Sequence, residues 1–236
     1  MRVKPIAISL VGLIIPLLVY AATQTIVATG NWGDTGIWSG GVIPSTSDDV
    51  NMNNNTDVTV LNGDDFTVTS LVTNNNNTIN INAGGKLTLD NLSGTALLTA
   101  GNNIVINVDG TLHIIGNILI NNNLVLNVTG TLIIDGDITL KNNASLDIAT
   151  GGSVTVSGDF VAGNNTTVGV DGILDVSGSI SVGNGSVLSG TGVVTSGSGC
   201  SGPASFCSGA PLPVEIIFFY SKDFRKYSCP YLGNSN

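Results

Sequence analysis

The chain has 236 residues, of which 42% are hydrophobic and 10% charged, and its formal net charge is −9 at pH 7. Between Thr23 and Leu212 the only cationic residues are Lys86 and Lys141, against 14 aspartates and no glutamate. Nucleic acid is therefore not expected as a partner, and an anionic membrane surface is disfavoured, because both need clustered Lys and Arg.

Residues 1–22 have the layout of a secretory signal peptide. Two basic residues precede an apolar run, Ile6–Val19, of 14 residues. A membrane-spanning helix needs about 20 residues, and small residues suited to signal peptidase follow at Ala21 and Ala22. We expect cleavage there, leaving a secreted chain without a membrane span, located outside the cell or on its outer surface. The alternative is a retained anchor helix.

Residues 23–50 are predicted to form an N-terminal cap. This segment is rich in Trp and Gly and lacks the periodicity of the sequence that follows it. A repeat protein has to cover its first unit, because an open strand edge invites pairing with other chains. The residues assigned to the cap are Trp32, Trp38, Pro44, Asp48 and Asp49.

Residues 51–197 show internal self-similarity with a period of about 20 residues. Paired asparagines begin at positions 76, 102, 122, 142 and 164, and Asn184-Gly185 takes the same place in a further unit. Two glycines separated by five residues follow in four units, as at Gly110 and Gly116. Between these landmarks apolar and polar residues alternate with period two, which predicts short strands that each bury one face.

The repeat predicts an all-β fold, a right-handed parallel β-solenoid (β-helix) with three short strands per coil. Such strands bury their apolar faces only when successive coils stack. Asn and Gly are expected at the corners because they tolerate positive φ, and stacked Asn side chains can form a hydrogen-bonded ladder. The competing fold, an antiparallel sandwich, does not require such a repeat. The side chains predicted to face inward are Ile104, Ile106, Val108, Leu112, Ile114, Ile118, Ile120, Leu124, Leu126, Val128, Leu132, Ile134, Ile138, Leu140, Leu146, Ile148, Val154, Val156, Phe160, Val168, Val170, Leu174, Val176, Ile180 and Val182.

No catalytic residue, metal site or cofactor is predicted. Parallel β-helices include polysaccharide lyases and hydrolases, but the exported body has no arginine with which to bind an acidic sugar. Asp beside a corner Gly is an ordinary turn residue, and no catalytic triad, zinc spacing, phosphate loop or calcium nonapeptide is present. Weak calcium binding by these aspartates is the alternative. They are Asp135, Asp137, Asp147, Asp159, Asp171 and Asp175.

Two outward-facing features also argue against a specific site. His113, the only histidine, is predicted to point outward without a partner. The outward column predicted from the repeat reads Lys86, Thr111, Thr131, Ser153, Ile173. This column is not the regular threonine array that an ice-binding solenoid presents.

Five apolar residues break the alternation at outward positions of two adjacent coils. Those on the same side of the solenoid are predicted to form a contact patch for a second copy of the chain or for a C-terminal part of the same protein. The alternative is that they occupy these positions for strand propensity alone. The five are Val105, Ile115, Leu119, Val125 and Ile133.

Residues 198–236 form a tail that contains all three cysteines, Cys200, Cys207 and Cys229. In an exported chain Cys200 and Cys207 are a candidate disulfide pair. Three unpaired thiols are the alternative.

Two segments resemble a known protein family. The cap residues, together with Gly40 and the triplet Asp48-Asp49-Val50, resemble the opening of secreted β-helix surface proteins of Bacteroidetes-type bacteria. PLPVEIIFF at 211–219 resembles the LPVE-type linker that precedes the C-terminal sorting domain in type IX secretion cargo. The resemblance implies such a sorting domain after Phe219. The sequence departs from the family there, and we expect it to be truncated or frame-shifted.

The sequence as a whole predicts a non-catalytic extracellular or cell-surface structural or adhesion module. The second hypothesis is a carbohydrate-binding or carbohydrate-active β-helix of pectin-lyase type, with an extracellular polysaccharide as its partner. A carbohydrate site is expected to show exposed aromatic residues and clustered carboxylates. Residues 74–195 contain one aromatic residue, Phe160, which is predicted to point inward.

Overall fold

A computed structural model describes residues 22–90, 96–203 and 217–218. Three parallel sheets stack as a β-solenoid of about 7 turns, with about 21 residues per turn and 51% of residues in strands. The predicted all-β parallel solenoid with three strands per coil is confirmed. The described residues include one short 3-10 helix, Thr35–Ile37, and no helix among them could cross a membrane.

From β3 to β23 each coil contributes one strand to each sheet. Sheet A consists of β1 (Thr23–Ile26), β3 (Asp49–Met52), β6 (Ser70–Thr73), β9 (Ala96–Ala100), β12 (Asn117–Ile120), β15 (Ile138–Leu140), β18 (Phe160–Ala162), β21 (Ile180–Val182) and β24 (Cys200–Ser201). Sheet B consists of β2 (Gly30–Asn31), β4 (Asp57–Val60), β7 (Thr78–Ile81), β10 (Val105–Val108), β13 (Val125–Val128), β16 (Ser145–Ile148), β19 (Thr167–Val170) and β22 (Val187–Ser189). Sheet C consists of β5 (Asp65–Val68), β8 (Lys86–Asp90), β11 (Thr111–Ile115), β14 (Thr131–Ile134), β17 (Ser153–Val156), β20 (Ile173–Val176), β23 (Val193–Ser196) and β25 (Ile217–Phe218).

Residues at equivalent positions of successive coils are neighbours in the sheets. Parallel strands in register place such residues about 4.8 Å apart along the solenoid. On sheet C the pairing runs in the order of the predicted outward column, which is thereby confirmed from β8 to β20. The column is Lys86, Thr111, Thr131, Ser153 and Ile173.

A single hydrophobic core runs along the solenoid. Every side chain predicted to face inward between residues 104 and 182 is buried, and none is more than 6% exposed. Successive residues of a strand point to opposite faces, so every second residue of a strand points into the interior, and these residues are mostly apolar. Burial of each Val, Leu or Ile side chain contributes about 1.5–3 kcal/mol. Toward the N-terminus the core continues through Met52, Val50 and Trp32.

Asparagines at the corner between sheets A and B adopt the left-handed backbone conformation. Their φ lies between 55° and 61°, and Gly185, with φ 73°, takes the next position in the same column. Asn and Gly adopt this conformation at the lowest cost, which confirms the reason predicted for their use at these corners. The asparagines are Asn55, Asn76, Asn103, Asn123, Asn143 and Asn165.

The corner side chains form the predicted ladder. Nδ2 of Asn103 donates to Oδ1 of Asn76 over 3.1 Å, and Nδ2 of Asn123 donates to Oδ1 of Asn103 over 3.0 Å. The first asparagine of a pair can also accept a backbone N–H of the next coil, as Oδ1 of Asn142 accepts the N–H of Asn164 over 2.8 Å. Side-chain bonds therefore join successive coils in addition to the strand bonds.

The sequence-based position of the first corner pair, Asn76-Asn77, is wrong by one residue. The pair is Asn75-Asn76, so its separation from the next pair is 27 residues. Asn77 is an inward residue, 1% exposed, whose Nδ2 donates to the carbonyls of Asn53 and Thr56 over 2.6 and 2.8 Å. The sequence did not indicate which two of the four consecutive asparagines form the corner. A buried amide that donates to carbonyls of the preceding coil can occupy an inward position that is otherwise aliphatic, as Asn77 does.

Residues 23–50 both begin the solenoid and cover part of its N-terminal end. β1 pairs with β3 and β2 pairs with β4, so the first coil starts within this segment. Residues 37–39 then run antiparallel along the other edge of β1: the Val27 N–H donates to Ile37 O, and the Ser39 N–H donates to Thr25 O, both over 2.9 Å. An edge that is paired in this way is closed to another strand.

Strand pairing also occurs beyond residue 197. β24 extends sheet A, with Cys200 in register with Ile180. β25 extends sheet C, with Ile217 in register with Thr195, so part of the LPVE-like segment pairs with the last coil. Residues 1–21, which hold most of the predicted signal peptide, and the rest of the tail lie outside the described residues.

Candidate functional site

The outer face of sheet B carries asparagines that bond from coil to coil. Nδ2 of Asn107 donates to Oδ1 of Asn80 over 2.8 Å, and Nδ2 of Asn127 donates to Oδ1 of Asn107 over 2.9 Å. These half-buried amides use hydrogen-bonding capacity on one another that a ligand would otherwise engage. The row therefore joins successive coils through side-chain hydrogen bonds in addition to the strand bonds.

Several aspartates predicted as turn residues accept hydrogen bonds from the coil that follows. Oδ1 of Asp159 accepts the Ser179 N–H over 2.7 Å and the Ser179 hydroxyl over 2.9 Å. These two bonds hold the pKa of Asp159 below its usual value. Oδ1 of Asp137 accepts the Asp159 N–H over 2.9 Å, and Oδ1 of Asp171 accepts the Thr191 N–H over 2.8 Å. Carboxylates occupied in this way complete the corners of the fold.

His113 has a charged partner, which corrects the expectation of an isolated imidazole. Its Nε2 lies 2.8 Å from Oδ2 of Asp135, and the two side chains are 26% and 50% exposed. His113 lies on β11 and Asp135 directly follows β14, so the pair joins neighbouring coils diagonally. The alternation predicts the outward direction of His113. The partner depends on the register of the next coil.

The His113–Asp135 pair belongs to a mixed polar and apolar surface on the outer face of sheet C, formed by β8, β11 and β14. Two rows of outward residues cross these three strands. Neighbouring strands are about 4.8 Å apart, and successive outward residues of one strand are about 6.6 Å apart, so the two rows cover an area of about 10 by 7 Å. We call these six residues the sheet C patch. The first row is Thr88, His113 and Ile133, and the second is Asp90, Ile115 and Asp135.

The five apolar residues predicted as an association patch are distributed over three sheets. Val105 and Val125 are neighbours on sheet B, with Val125 38% exposed. Leu119 lies on sheet A, and Ile115 and Ile133 lie on sheet C. The five do not form one surface, because the sheets face different directions, and self-association stays a prediction.

The two cap tryptophans close the N-terminal end of the core. Trp32 and Trp38 are 0% and 3% exposed and contact each other edge to face, with ring centroids 5.2 Å apart. Nε1 of Trp38 donates to Trp32 O over 2.9 Å. Trp32 also stacks on Phe66 of β5, with ring centroids 6.0 Å apart, and Pro44 is buried nearby in the chain.

Asp48 holds the turn that leads from the cap into β3. Its Oδ1 accepts the Ala22 N–H over 2.9 Å, and its Oδ2 accepts the N–H and the hydroxyl of Ser45 over 2.7 and 2.8 Å. Burial acts to raise the pKa of Asp48, but these hydrogen bonds outweigh it and leave the pKa below its usual value. The neighbouring Asp49 accepts the hydroxyl of Ser70 on β6.

Cys200 is disulfide-bonded. Cys207 and Cys229 lie outside the described residues, so pairing with Cys207 stays a prediction. Across residues 22–90, 96–203 and 217–218, no three His, Cys, Asp or Glu side chains are placed to hold a metal ion. Asp147 is exposed on sheet B and Asp175 on sheet C.

The sequence pattern singled out neither Thr88 nor Asp90. Their place beside His113 depends on how β8 pairs with β11, across 25 residues of chain.

Comparison of the chain with protein-family models, with curated proteins and with solved structures finds no match.

Proposed function

We propose that the chain is a non-catalytic structural module of the cell exterior, a rigid spacer or adhesion rod. The observation that supports this most directly is the stacking of eight or nine parallel strands in each sheet around one apolar core. Nine strands at about 4.8 Å each span about 40 Å. A rod of this kind holds two attached elements at a fixed separation.

The surface chemistry supports an extracellular place for the rod. Its outer faces carry Thr, Asn and Asp, and the net charge of −9 favours solubility without adsorption to anionic surfaces. The disulfide of Cys200 fits the oxidising environment in which such bonds persist. Export through the N-terminal apolar segment is the route we propose.

Removal or duplication of one coil tests the spacer function. Residues 122–141 constitute one repeat, since Asn142 is the equivalent of Asn122 in the next coil. In the producing cell we expect an epitope-tagged chain to be labelled on intact cells. Attachment of the cells to surfaces under flow should change in opposite directions when this coil is deleted and when it is duplicated.

The matched control is Asn127→Ser, which alters the outer face of the same coil while leaving the coil number unchanged. We expect this variant to behave as the parent in the attachment assay. Labelling only after lysis would contradict the extracellular location. Attachment that is insensitive to coil number would contradict the spacer role.

A further inference from the structure

We infer that Asn184 is a modification site, at which water converts the side-chain amide to a carboxylate, a property that goes beyond the proposed spacer function and does not depend on it. The reaction is deamidation through a succinimide, in which the backbone nitrogen after the asparagine is the nucleophile. The chain contains two Asn-Gly dipeptides, Asn62-Gly63 and Asn184-Gly185, and glycine lacks the Cβ that hinders this attack. Both asparagines are exposed, so water reaches both.

The bonds that form and break involve only Asn184, Gly185 and water. The Gly185 nitrogen bonds to Cγ of Asn184 and loses its proton to solvent, while the side-chain nitrogen takes up a proton and leaves as ammonia. Water then opens the succinimide at Cγ, which gives aspartate, or at the backbone carbonyl carbon, which gives isoaspartate. Neither step transfers electrons, so no oxidant or cofactor is required.

The equivalent backbone nitrogen is hydrogen-bonded at every earlier corner between sheets A and B. The N–H of the second residue of the corner donates to a carbonyl of the next coil, as from Asn165 to Asn184 O over 2.9 Å and from Asn143 to Asn164 O over 3.0 Å. A nitrogen held in this way is a poorer nucleophile, because its hydrogen bond has to break before the proton leaves. The residues that donate this bond are Asn55, Asn76, Asn103, Asn123, Asn143 and Asn165.

Gly185 lacks this bond. The strand that follows it, β22, is the last of sheet B, and in the part of the chain that the structure describes the Gly185 N–H has no acceptor. Gly63 differs, because its N–H donates to Gly84 O over 3.1 Å. The same dipeptide therefore occurs once with the nucleophilic nitrogen engaged and once without an acceptor among the described residues.

The side chain of Asn184 also lacks a bond that holds earlier corner amides in place. Oδ1 of Asn142 accepts the Asn164 N–H, and Oδ1 of Asn164 accepts the Asn184 N–H, both over 2.8 Å. Such a bond fixes the rotamer of the side chain, whereas the attack requires Cγ to turn toward the following nitrogen. No described residue donates to Oδ1 of Asn184, so its Cγ can reach the Gly185 nitrogen.

Conversion changes how the last corner is attached to the solenoid. Asn184 bonds to the preceding coil through its N–H, which donates to Asn164, and through its carbonyl, which accepts the Asn165 N–H. In isoaspartate this carbonyl belongs to a carboxylate, and the main chain is one methylene longer. We expect faster amide hydrogen exchange in β22, because β19 is its one neighbour in sheet B among the described strands.

Rates of conversion at the two Asn-Gly dipeptides test the inference. The full chain would be incubated at constant pH and digested, and the asparagine, aspartate and isoaspartate forms of each peptide would be separated and identified by mass spectrometry. We expect Asn184 to convert at least about threefold faster than Asn62, which is the order of the factor that one net backbone hydrogen bond contributes. Gly185→Asn restores the Asn-Asn pair of the earlier corners and should suppress the conversion. Equal rates at Asn62 and Asn184 in the folded chain would overturn the inference.

Asn165→Gly is the matched variant, because it places an Asn-Gly dipeptide at Asn164, one coil earlier. There the backbone N–H at position 165 donates to Asn184 O, and Oδ1 of Asn164 accepts the Asn184 N–H. We expect Asn164 to remain an amide while Asn184 converts, with far-UV circular dichroism showing that the variant is folded. Conversion of Asn164 as fast as that of Asn184 would overturn the inference. A preference for Asn184 over Asn62 that persists in the parent chain unfolded in urea would overturn it as well, because it would trace the difference to local sequence.

Discussion

Leu132→Asp and Thr131→Asp form the most informative pair of substitutions. The two residues are adjacent on β14, but Leu132 is 1% exposed and lies between Leu112 and Val154 of the neighbouring coils. Loss of the leucine removes about 2–3 kcal/mol of apolar burial, and an unpaired carboxylate at this position adds a desolvation cost of several kcal/mol. The sum is comparable with the 5–15 kcal/mol that stabilises a typical domain. We therefore expect Leu132→Asp to unfold the central coils.

Thr131→Asp is the control because the threonine faces outward, between Thr111 and Ser153, with no carboxylate beside it in the column. Its effect should lie within about 0.5 kcal/mol, as for other surface substitutions. Urea unfolding followed by far-UV circular dichroism measures both variants against the parent. Equal unfolding midpoints for the two variants would refute the inward and outward assignment of β14.

Substitutions at three further positions test the corner, the cap and the core. Asn123→Ala should lower the free energy of unfolding by about 1–2 kcal/mol, because it places alanine at φ 61° and removes the bond to Asn103. Asn123→Gly should lower it less, since glycine adopts this φ without strain. Urea midpoints that rank the two variants the other way would contradict this. The pKa of Asp48 is lowered in the folded state, so its contribution is present above the unfolded pKa of about 3.9 and is lost as the pH falls through the folded value. Melting temperatures from pH 5 to pH 2 should fall less steeply in Asp48→Asn, and parallel curves would refute the role of these hydrogen bonds. Phe160→Ala should cost about 3–5 kcal/mol by calorimetry, because the ring is 0% exposed and fills the coil between Ile138 and Ile180; a loss under 1 kcal/mol would place the ring outside the core.

Much of the fold follows from two periods in the sequence. The repeat of about 20 residues fixes which residues stack, and the alternation within each strand fixes which of them point inward. The column from Lys86 to Ile173 could be predicted in order because each coil there returns to the same corner sequence. Where the repeat is regular, long-range strand pairing can be predicted from the sequence as well as local structure can.

The features that the sequence does not predict occur where the coil length changes or where a side chain contacts a residue of another coil that is not its in-register neighbour. The corner at Asn75-Asn76 was ambiguous within four asparagines and is followed by a coil of 27 residues. The contact of His113 with Asp135 depends on a diagonal neighbour 22 residues away. Thr88 is 7% exposed although the alternation of β8 places it on an outer face, where it predicts an exposed side chain.

The most direct test of the account is the separation of equivalent residues along the solenoid. Spin labels on unnatural amino acids at position 86 paired with positions 153, 173 and 193 leave the cysteines intact and lie along one outward column. A parallel in-register solenoid predicts electron–electron distances that rise in equal steps of about 4.8 Å, to about 24 Å for the last pair. Distances that fail to increase from position 153 to position 193, as strands that fold back on each other would give, would contradict the stacked-coil rod.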